Sequence, residues 1–511
     1  MKKRFEEKRI YIYLAFYLLL NILFLTKFPF MHSDETWLSG LSRAMMTEGL
    51  GTTEPFFDLL ERYPHAIKSI FHVMQMPLIK IFGYNLFAVR FLSLIFGIFT
   101  LIFFNKLLKK ILGSETKAFI LTILLSLDIQ FIYSSHFARQ DIIIAFLIVL
   151  VLYYIIKNEE DWSFRKDIFT GIIIGLSIGI HPNSLMVAFA AGGLYLYYIV
   201  EKRFRIRNLL FLILTVSVFA GIFIAISYSF NDTFFSDYLK YGSDLGVKNA
   251  FFEKFEALPK YFQKLYLGIT GTYYIPNMKF QLILFGFGIV ASIIYAFKNR
   301  EVLKFLLPIL GILAAFVLIG RYSQPSVILL LPVMYLLIFY MLSKLLKKRI
   351  FILTSLIGVV LTFVSIFSVV PYINDDYKAY EKEIVRHVPQ GSKTLANLNA
   401  EFFFEEGDLL DYRNLDYLYE REISFSEYIT ERKIEYIVYP EEMDFIYERR
   451  PVWNIVYGNL YPYYEDMNDF FFSDCTLIHE FTSPYAMRIS RFSEEKDWSV
   501  KIYKVGGQAD E

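Results

Sequence analysis

The sequence predicts an α-helical polytopic membrane protein of about eleven transmembrane helices, followed by a small extracytoplasmic α/β domain. Three observations predict it. The 511 residues are 55% hydrophobic and 19% aromatic, with a mean hydropathy of +0.41, more apolar than soluble domains run. The apolar residues gather in long runs, and Lys and Arg gather in every second connection between those runs. After residue 370 the runs stop and the chain becomes polar, acidic and Tyr-rich.

The first run follows a basic flank, MKKRFEEKR, and no small-residue cleavage site follows it, so it reads as a retained signal anchor. The candidate spans are 10–27, 86–104, 118–134, 140–156, 168–180, 184–200, 208–230, 280–297, 305–319, 326–343 and 350–370. A helix needs roughly 20 residues to cross a bilayer core, so the shorter runs must keep their polar ends inside the protein. Basic residues precede the first span (Lys2, Lys3, Arg4, Lys8, Arg9). They then follow the second (Lys106, Lys109, Lys110, Lys117), fourth (Lys157, Arg165, Lys166), sixth (Lys202, Arg203, Arg205, Arg207), eighth (Lys298, Arg300, Lys304) and tenth (Lys344, Lys347, Lys348, Arg349). An eleven-span count puts all six loops on one side, and the positive-inside rule makes that side the cytoplasm. The N-terminus is then cytoplasmic, in a cell membrane. Loops 28–85 and 231–279 and the domain 371–511 face outward.

That domain has a single-domain length. TLANL (394–398), IEYIVYP (434–440), YAMRIS (485–490) and SVKIYKV (499–505) read as strands. SFSEYITERK (424–433) reads as a helix capped by Ser424 or Ser426. The 52 basic and 51 acidic residues leave a net charge of +1 with no basic stripe, which argues against a nucleic-acid partner. One cysteine, Cys475, excludes an internal disulfide framework.

Against apolar spans, the polar exceptions carry information, because an ionisable group in hydrocarbon costs a few kcal/mol and is usually retained for a partner or a cavity. Four clusters lie at the outward ends. In FPFMHSDETWLSG, His32, Asp34 and Glu35 offer a general base or oxygen ligands for a divalent metal. The plainer alternative is a helix N-cap at Ser33 or Asp34, with only a partial capping box because residue 36 is Thr. In SSHFARQDIIIAF, His136, Arg139 and Asp141 form either a site or an ion pair with a snorkelling arginine. In GIHPNSL, Pro182 breaks a helix, and His181 is a phosphate or metal contact or a structural histidine. In GRYSQPS, Arg321 suits planar recognition of a phosphate, or with Tyr322 anchors the interface. Asp128 is a further acid at depth. The predicted topology gathers the four clusters on one face, which suggests chemistry on an amphipathic substrate whose head group lies at the outer leaflet.

These segments resemble the polyprenyl-phosphate-dependent membrane glycosyltransferases of the C-type superfamily, relatives of the protein O-mannosyltransferases and the lipid A aminoarabinose transferases. Asp34-Glu35 is similar to the superfamily's leading acidic motif. FGYNLFAVRFLSLIFGIFTL (82–101), with Arg90, resembles the entry to the second span. ARQDIIIAF (138–146) resembles the second acidic motif, and RYSQPSVILLLPV (321–333) the late polar loop. The likeness covers residues 10–345. Where the family often carries Lys-Pro-Pro-Leu, this chain has VMQMPLIK (73–80), leaving His65, Lys68 or His72 to supply that contact.

The resemblance implies a transmembrane glycosyltransferase domain over 1–370. Its donor would be a sugar on a polyprenyl phosphate, and its acceptor a hydroxyl of a lipid, protein or glycan. Asp34 would be the base of an inverting displacement, with Glu35 and Asp141 orienting the substrates or binding metal. Arg139, His181, Arg321 and Tyr322 would hold the donor phosphate. His32, His136 and Arg90 are further candidates. A divalent metal, held by Glu35, Asp141 or His181, is a possible cofactor. Aromatic loops 55–63 and 231–275 would close over the site. Two other classes fit the composition, a transporter or flippase and a non-catalytic scaffold. The first is expected to show inverted repeats with helices broken near the midplane, and the sequence has no internal repeat.

Overall fold

The computed structural model describes residues 2–53, 56, 64–244, 247–269, 271–345, 350–489 and 498–506. Of the aromatic loop 55–63, only Phe56 is among them. The first part of the chain is helical. It begins with α1 (Lys2–Phe24), α2 (Ser33–Glu48), α3 (Ser69–Phe82), α4 (Leu86–Leu112), α5 (Glu115–Ser126) and α6 (Ile129–His136). It continues with α7 (Asp141–Lys157), α8 (Phe164–Ser177), α9 (Leu185–Val200), α10 (Ile206–Phe230), α11 (Phe234–Asp244) and α12 (Phe251–Leu267). Last come α13 (Lys279–Ala296), α14 (Leu303–Ile319), α15 (Leu331–Leu345) and α16 (Ile350–Val369). The eleven apolar runs fall on helical segments, with 118–134 divided between α5 and α6 and 326–343 beginning in a 3-10 stretch before α15. Seven described helices are long and apolar enough to cross a membrane, and eight if the α5–α6 pair counts as one.

That pair is bent by 67°. The bend has a local cause. The Asp128 carboxylate accepts from the Gln130 amide at 2.8 Å and starts a new helix, and Tyr335 donates to the same carboxylate at 2.6 Å. The deep acid therefore has both a capping role and a hydroxyl partner.

Short α7 is buried along most of its length, packed against α4 and α9. Helices α10, α13 and α16 instead expose large apolar side chains, among them Leu214, Phe287, Phe363 and Phe367. An exposed apolar surface of this extent is what a lipid-facing wall presents. Glu159, Glu201, Arg203, Arg300, Glu301 and Lys304 meet in a polar recess of about 380 Å³ at one end of the bundle. Three of the connections that the span count placed on a common side therefore do meet.

The last part holds α17 (Tyr377–His387), α18 (Asn414–Arg421), α19 (Phe425–Glu431), α20 (Glu442–Arg449) and α21 (Leu460–Asp474). Its strands are β1 (Thr394–Ala396), β2 (Leu409–Asp411), β3 (Tyr436–Pro440), β4 (Cys475–Thr482) and β5 (Ser499–Val505). They form one sheet in the order β2-β1-β3-β5-β4, with β2, β1 and β3 parallel and β5 antiparallel to both its neighbours. Ser424 caps α19 through the Glu427 amide, as the sequence predicts. The described part of YAMRIS, residues 485–489, is not a strand: Pro484–Ala486 is a 3-10 turn, and Asn399 holds the carbonyls of Tyr485 and Met487.

Side chains alternate across the sheet, as a pleated strand requires. Ile437 and Tyr439 pack under α18–α21. Tyr436 and Val438 share a core with Phe28, Phe30, Met31 and Phe56 of the first long loop. The C-terminal sheet and the loop after α1 are thus two halves of one hydrophobic core. Gly40 on α2 makes room for it, because a Cβ there would lie 2.0 Å from the Phe56 ring.

Candidate active site

The site is built from the start of α2. His32 is the N-cap, its Nδ1 accepting from the Asp34 amide at 3.0 Å, and Glu35 accepts from the His32 amide at 3.1 Å. This is a complete capping box, closed by a histidine in place of the expected Ser33 or Asp34. It points two adjacent carboxylates to different places.

Glu35 turns inward and is fully buried. One oxygen accepts from Arg90 Nε (2.8 Å) and the Ala138 amide (2.9 Å), the other from Arg90 (2.7 Å) and the His32 amide. Arg90 also donates to the carbonyls of Leu25 (2.9 Å) and Pro29 (3.0 Å). The expectation that Glu35 and Arg90 act on substrate is corrected here. Both Glu35 oxygens and four Arg90 hydrogen bonds go into tying the end of α1, the start of α2, α4 and the turn 137–140 together. A buried pair this well satisfied is a support.

Asp34 turns outward. Its Oδ2 accepts from Arg139 at 2.6 Å and from the Tyr273 hydroxyl at 2.6 Å. No described residue donates a hydrogen bond to Oδ1, and His32 Nδ1 lies 3.8 Å from it. Burial pushes the Asp34 carboxyl up, but Arg139, with His32 and Tyr273, outweighs it and holds the group well below the usual range. Its place in the first turn of α2 favours the anion too. Burial pushes His32 down to about 4, leaving it neutral, stacked on Tyr273 at 4.5 Å.

Arg139 joins the two acidic motifs. Its Nε lies 3.3 Å from Asp141 Oδ2, and Ser326 donates to Asp141 Oδ1 at 3.1 Å. Asp34 and Asp141, far apart in sequence, are bridged by one guanidinium.

His181 is seated by its own motif. Its Nδ1 accepts from the Asn183 amide at 3.0 Å, so its neutral ring carries the proton on Nε2 as a donor. The Gly179 carbonyl beside it accepts from the Ile70 amide at 2.8 Å, docking the start of α3 here, with Lys68 in the left-handed conformation at φ 79°. Burial, with Lys68, Arg139 and Arg321 nearby, pushes His181 well below its ordinary value. Gly320, at φ 74°, ends α14 just before Arg321.

These groups line a cavity of about 450 Å³. Asp34 is the single carboxylate among its described lining residues, and Lys68, Arg139, Arg321 and Arg413 also line it. So do His65, His72 and His181. All three residues named for the missing Lys-Pro-Pro-Leu contact are therefore present. Arg413 and Tyr273 escaped the sequence reading. Arg413 comes from the C-terminal part: Asp411 accepts from its amide at 2.8 Å, and its guanidinium lies 5.0 Å from the Trp37 ring. Asp411 is fixed in turn by Arg488, which also donates to Asn397 at 2.8 Å.

Other candidates lie elsewhere. Tyr322 donates to the Lys254 carbonyl at 2.6 Å and stacks on Phe316, so its hydroxyl is spent away from the cavity. His136 is buried between the Phe28 carbonyl (3.0 Å) and Asn21 (2.8 Å), joining α6 to α1. His32 is a cap and a stacking partner.

The expected metal set of Glu35, Asp141 and His181 does not fit a metal. Glu35 is saturated, Asp141 is paired with Arg139 and Ser326, and Nδ1 of His181 is occupied. Arg139 stands where a cation bridging the acids would sit.

The sequence model of the family described as dolichyl-phosphate-mannose-protein mannosyltransferase matches residues 71–228. No curated protein matches the chain. Among solved structures, the chain is similar to ArnT from Cupriavidus metallidurans bound to undecaprenyl phosphate, with a TM-score of 0.61 and 11% identity over 98% of this chain and 100% of that one. The Archaeoglobus fulgidus oligosaccharyltransferase in complex with Zn and sulfate gives 0.52 and 13% over 88% of this chain and 70% of that one. The archaeal oligosaccharyltransferase AglB of the same organism, with an inhibitory peptide and a dolichol-phosphate, gives 0.50 and 10% over 86% and 70%. The family match spans α3 to α10, which carry Arg90, Arg139, Asp141 and His181. On this fold and this partial match, the chain is a multi-pass membrane protein that shares its fold with ArnT and the archaeal oligosaccharyltransferase.

Proposed function

We propose that this protein transfers a sugar from a polyprenyl-phosphate donor to an acceptor hydroxyl, in the Asp34 cavity at the outer face of the cell membrane. The observation that carries the reading is the charge pattern of the cavity: one carboxylate facing Lys68, Arg139, Arg321 and Arg413. Such a lining suits an anionic head group with a nucleophile beside it. The similar structures bound to undecaprenyl phosphate and to a dolichol-phosphate support the donor class.

In the proposed reaction the acceptor hydroxyl attacks the anomeric carbon, the C–O bond to the phosphate breaks, and the polyprenyl phosphate leaves with the bonding pair. The transition state resembles an oxocarbenium ion. The proton passes to Asp34 Oδ1, the oxygen with no described hydrogen-bond donor. A carboxylate held this far below its usual range is a weak base in the ground state. It acts late, once bond formation has made the hydroxyl acidic, and it orients the attack before that. Lys68, Arg321 and His181 Nε2 stabilise the charge that develops on the leaving phosphate, which needs no proton, while Arg413 holds the donor's head group in ground and transition states alike. Displacement by one nucleophile from the opposite face gives inversion. Arg139 and Asp141 fix Asp34, and no step passes through a metal.

The test is transfer from a radiolabelled polyprenyl-phosphate sugar in membranes carrying the protein. Asp34→Asn is expected to abolish transfer while the protein still melts cooperatively in detergent. Full transfer in both Asp34→Asn and Asp141→Asn would sink the reading in favour of a scaffold, and donor translocation without transfer would favour a flippase.

A further inference from the structure

We infer that the C-terminal part carries a zinc-type metal site made by Glu383, His387 and His479, pinning α17 to the edge strand β4. It lies outside the cavity and is independent of the function proposed above. One ligand atom from each residue lies within 4.8 Å of the other two, and among the described residues this is the one group of three or more His, Cys, Asp or Glu donors so arranged.

The backbone presents all three. Glu383 and His387 are four residues apart on α17, so both side chains leave the same face one turn apart. His479 comes from β4, directly after the register irregularity at Leu477/His479. A bulge re-aims the side chain that follows it. Two residues on, Phe481 packs against Tyr380, one turn before Ile384 on α17, so strand and helix are already in apolar contact beside the cluster.

The distances approach those of a coordination shell. His479 Nε2 is 3.2 Å from Glu383 Oε2. With metal bonds of about 2.0–2.2 Å, two ligand atoms of a tetrahedral site stand roughly 3.4 Å apart. One edge of the tetrahedron therefore exists. The His387 ring lies flat on that of His479, with centroids 3.8 Å apart and planes 14° apart. A metal lies in the plane of each ring it binds, so His387 must rotate out of this stack to close the remaining edges. It is half-exposed and has room to do so. The second Glu383 oxygen accepts from Arg386 at 2.7 Å, which orients the carboxylate as outer partners of metal ligands do. Two imidazoles and one carboxylate form a borderline donor set suited to Zn²⁺, with water in the fourth position.

The placement gives the site a purpose. β4 is the outer strand of the sheet, whose unpaired edge is a point of fraying and of unwanted pairing. α17 is the first helix after α16. A metal across them fixes the sheet edge to the stalk that joins it to the membrane bundle.

The full-length protein in detergent, stripped with chelator and dialysed, is titrated with ZnCl2 alone. Wild type is expected to retain one Zn per chain after desalting and to melt at a higher temperature with Zn than without. Co²⁺ is expected to give the visible absorption of a four-coordinate site. His479→Ala and His387→Ala should each weaken Zn binding at least tenfold, while Asp34→Asn and Asp141→Asn should bind as wild type does. Absence of retained Zn and of the Co²⁺ spectrum in wild type would overturn the proposal, as would unchanged binding in both histidine variants or loss of Zn in the Asp141 variant. The wild-type Co²⁺ spectrum decides the matter even where a histidine variant fails to fold.

Discussion

Arg139 donates to Asp34 Oδ2 at 2.6 Å, and that one bond fixes which oxygen of Asp34 stays open to the cavity. Arg139→Lys keeps the charge but loses the fork that reaches Asp34, Tyr273 and Asp141 together. Its transfer rate is expected to fall about 100-fold, and that of Tyr273→Phe about tenfold, in line with lost charge-assisted and neutral hydrogen bonds respectively. Single-turnover rates with labelled donor check this.

The adjacent acid should behave differently. Glu35→Ala strands the Arg90 guanidinium in a sealed site, and breaking a buried pair from one side costs about 3–5 kcal/mol. Glu35→Ala is expected to lower the melting temperature and the yield of folded protein sharply. Asp34→Asn is expected to lose activity with little change in melting. Melting curves of the two variants side by side make the comparison.

Arg413 should act on donor binding. Arg413→Gln removes one cation from the cavity and its contact with Trp37. The expected effect is a KM for the polyprenyl-phosphate donor raised about tenfold with a smaller change in kcat, the signature of binding lost equally from ground and transition states. A loss confined to kcat would place Arg413 elsewhere in the reaction.

Gly40→Ala should loosen the joint between the two parts of the chain. Its Cβ would meet the Phe56 ring at 2.0 Å, and the Phe56 carbonyl accepts from the Asp411 amide and from Asn414, each at 3.2 Å. Overpacking of this kind costs about 1–3 kcal/mol. Phe56→Leu in the same chain is expected to restore part of the lost stability, and thermal melts of the single and double variants test the coupling.

His32 sets an acid limit. It is buried and neutral, with its value pushed down to about 4 against an unfolded value of about 6.5. Between those values the unfolded chain binds more protons, so stability is full above about pH 6.5 and falls as the pH drops towards 4, by about 3 kcal/mol for this group. His32→Asn preserves an N-cap and removes the titrating ring. Its melting temperature should depend less on pH than that of wild type over that window.

The legible parts of the molecule are those where a residue type conflicts with its surroundings. A charged residue at the end of an apolar run is conspicuous, and Asp34, Arg139, His181 and Arg321 do line one cavity. The eleven apolar runs fall on helices because both lipid and bundle interior select apolar side chains. What the spacing could not reveal is direction. Glu35 beside Asp34 and His136 beside Arg139 look as reactive as their neighbours. One turn of helix sends them to partners on other helices, Arg90 and Asn21. Arg413 was illegible for the opposite reason: in a polar segment where charged residues are common, nothing local marks the one that reaches the bundle. β4 was missed because CTLIHEFT lies at a sheet edge, where one face is exposed and the apolar alternation is broken by a bulge.

The core shared by Phe28, Phe30 and Phe56 with Tyr436 and Val438 has a consequence for biosynthesis. The loop that carries Asp34 leaves the ribosome early, but its apolar underside finds its cover only when the final strands emerge. Insertion of the helices can therefore finish long before this face of the cavity is assembled. A chain halted after α16 would sit in the bilayer with Phe28, Phe30 and Phe56 lacking their cover and the cavity lacking Arg413.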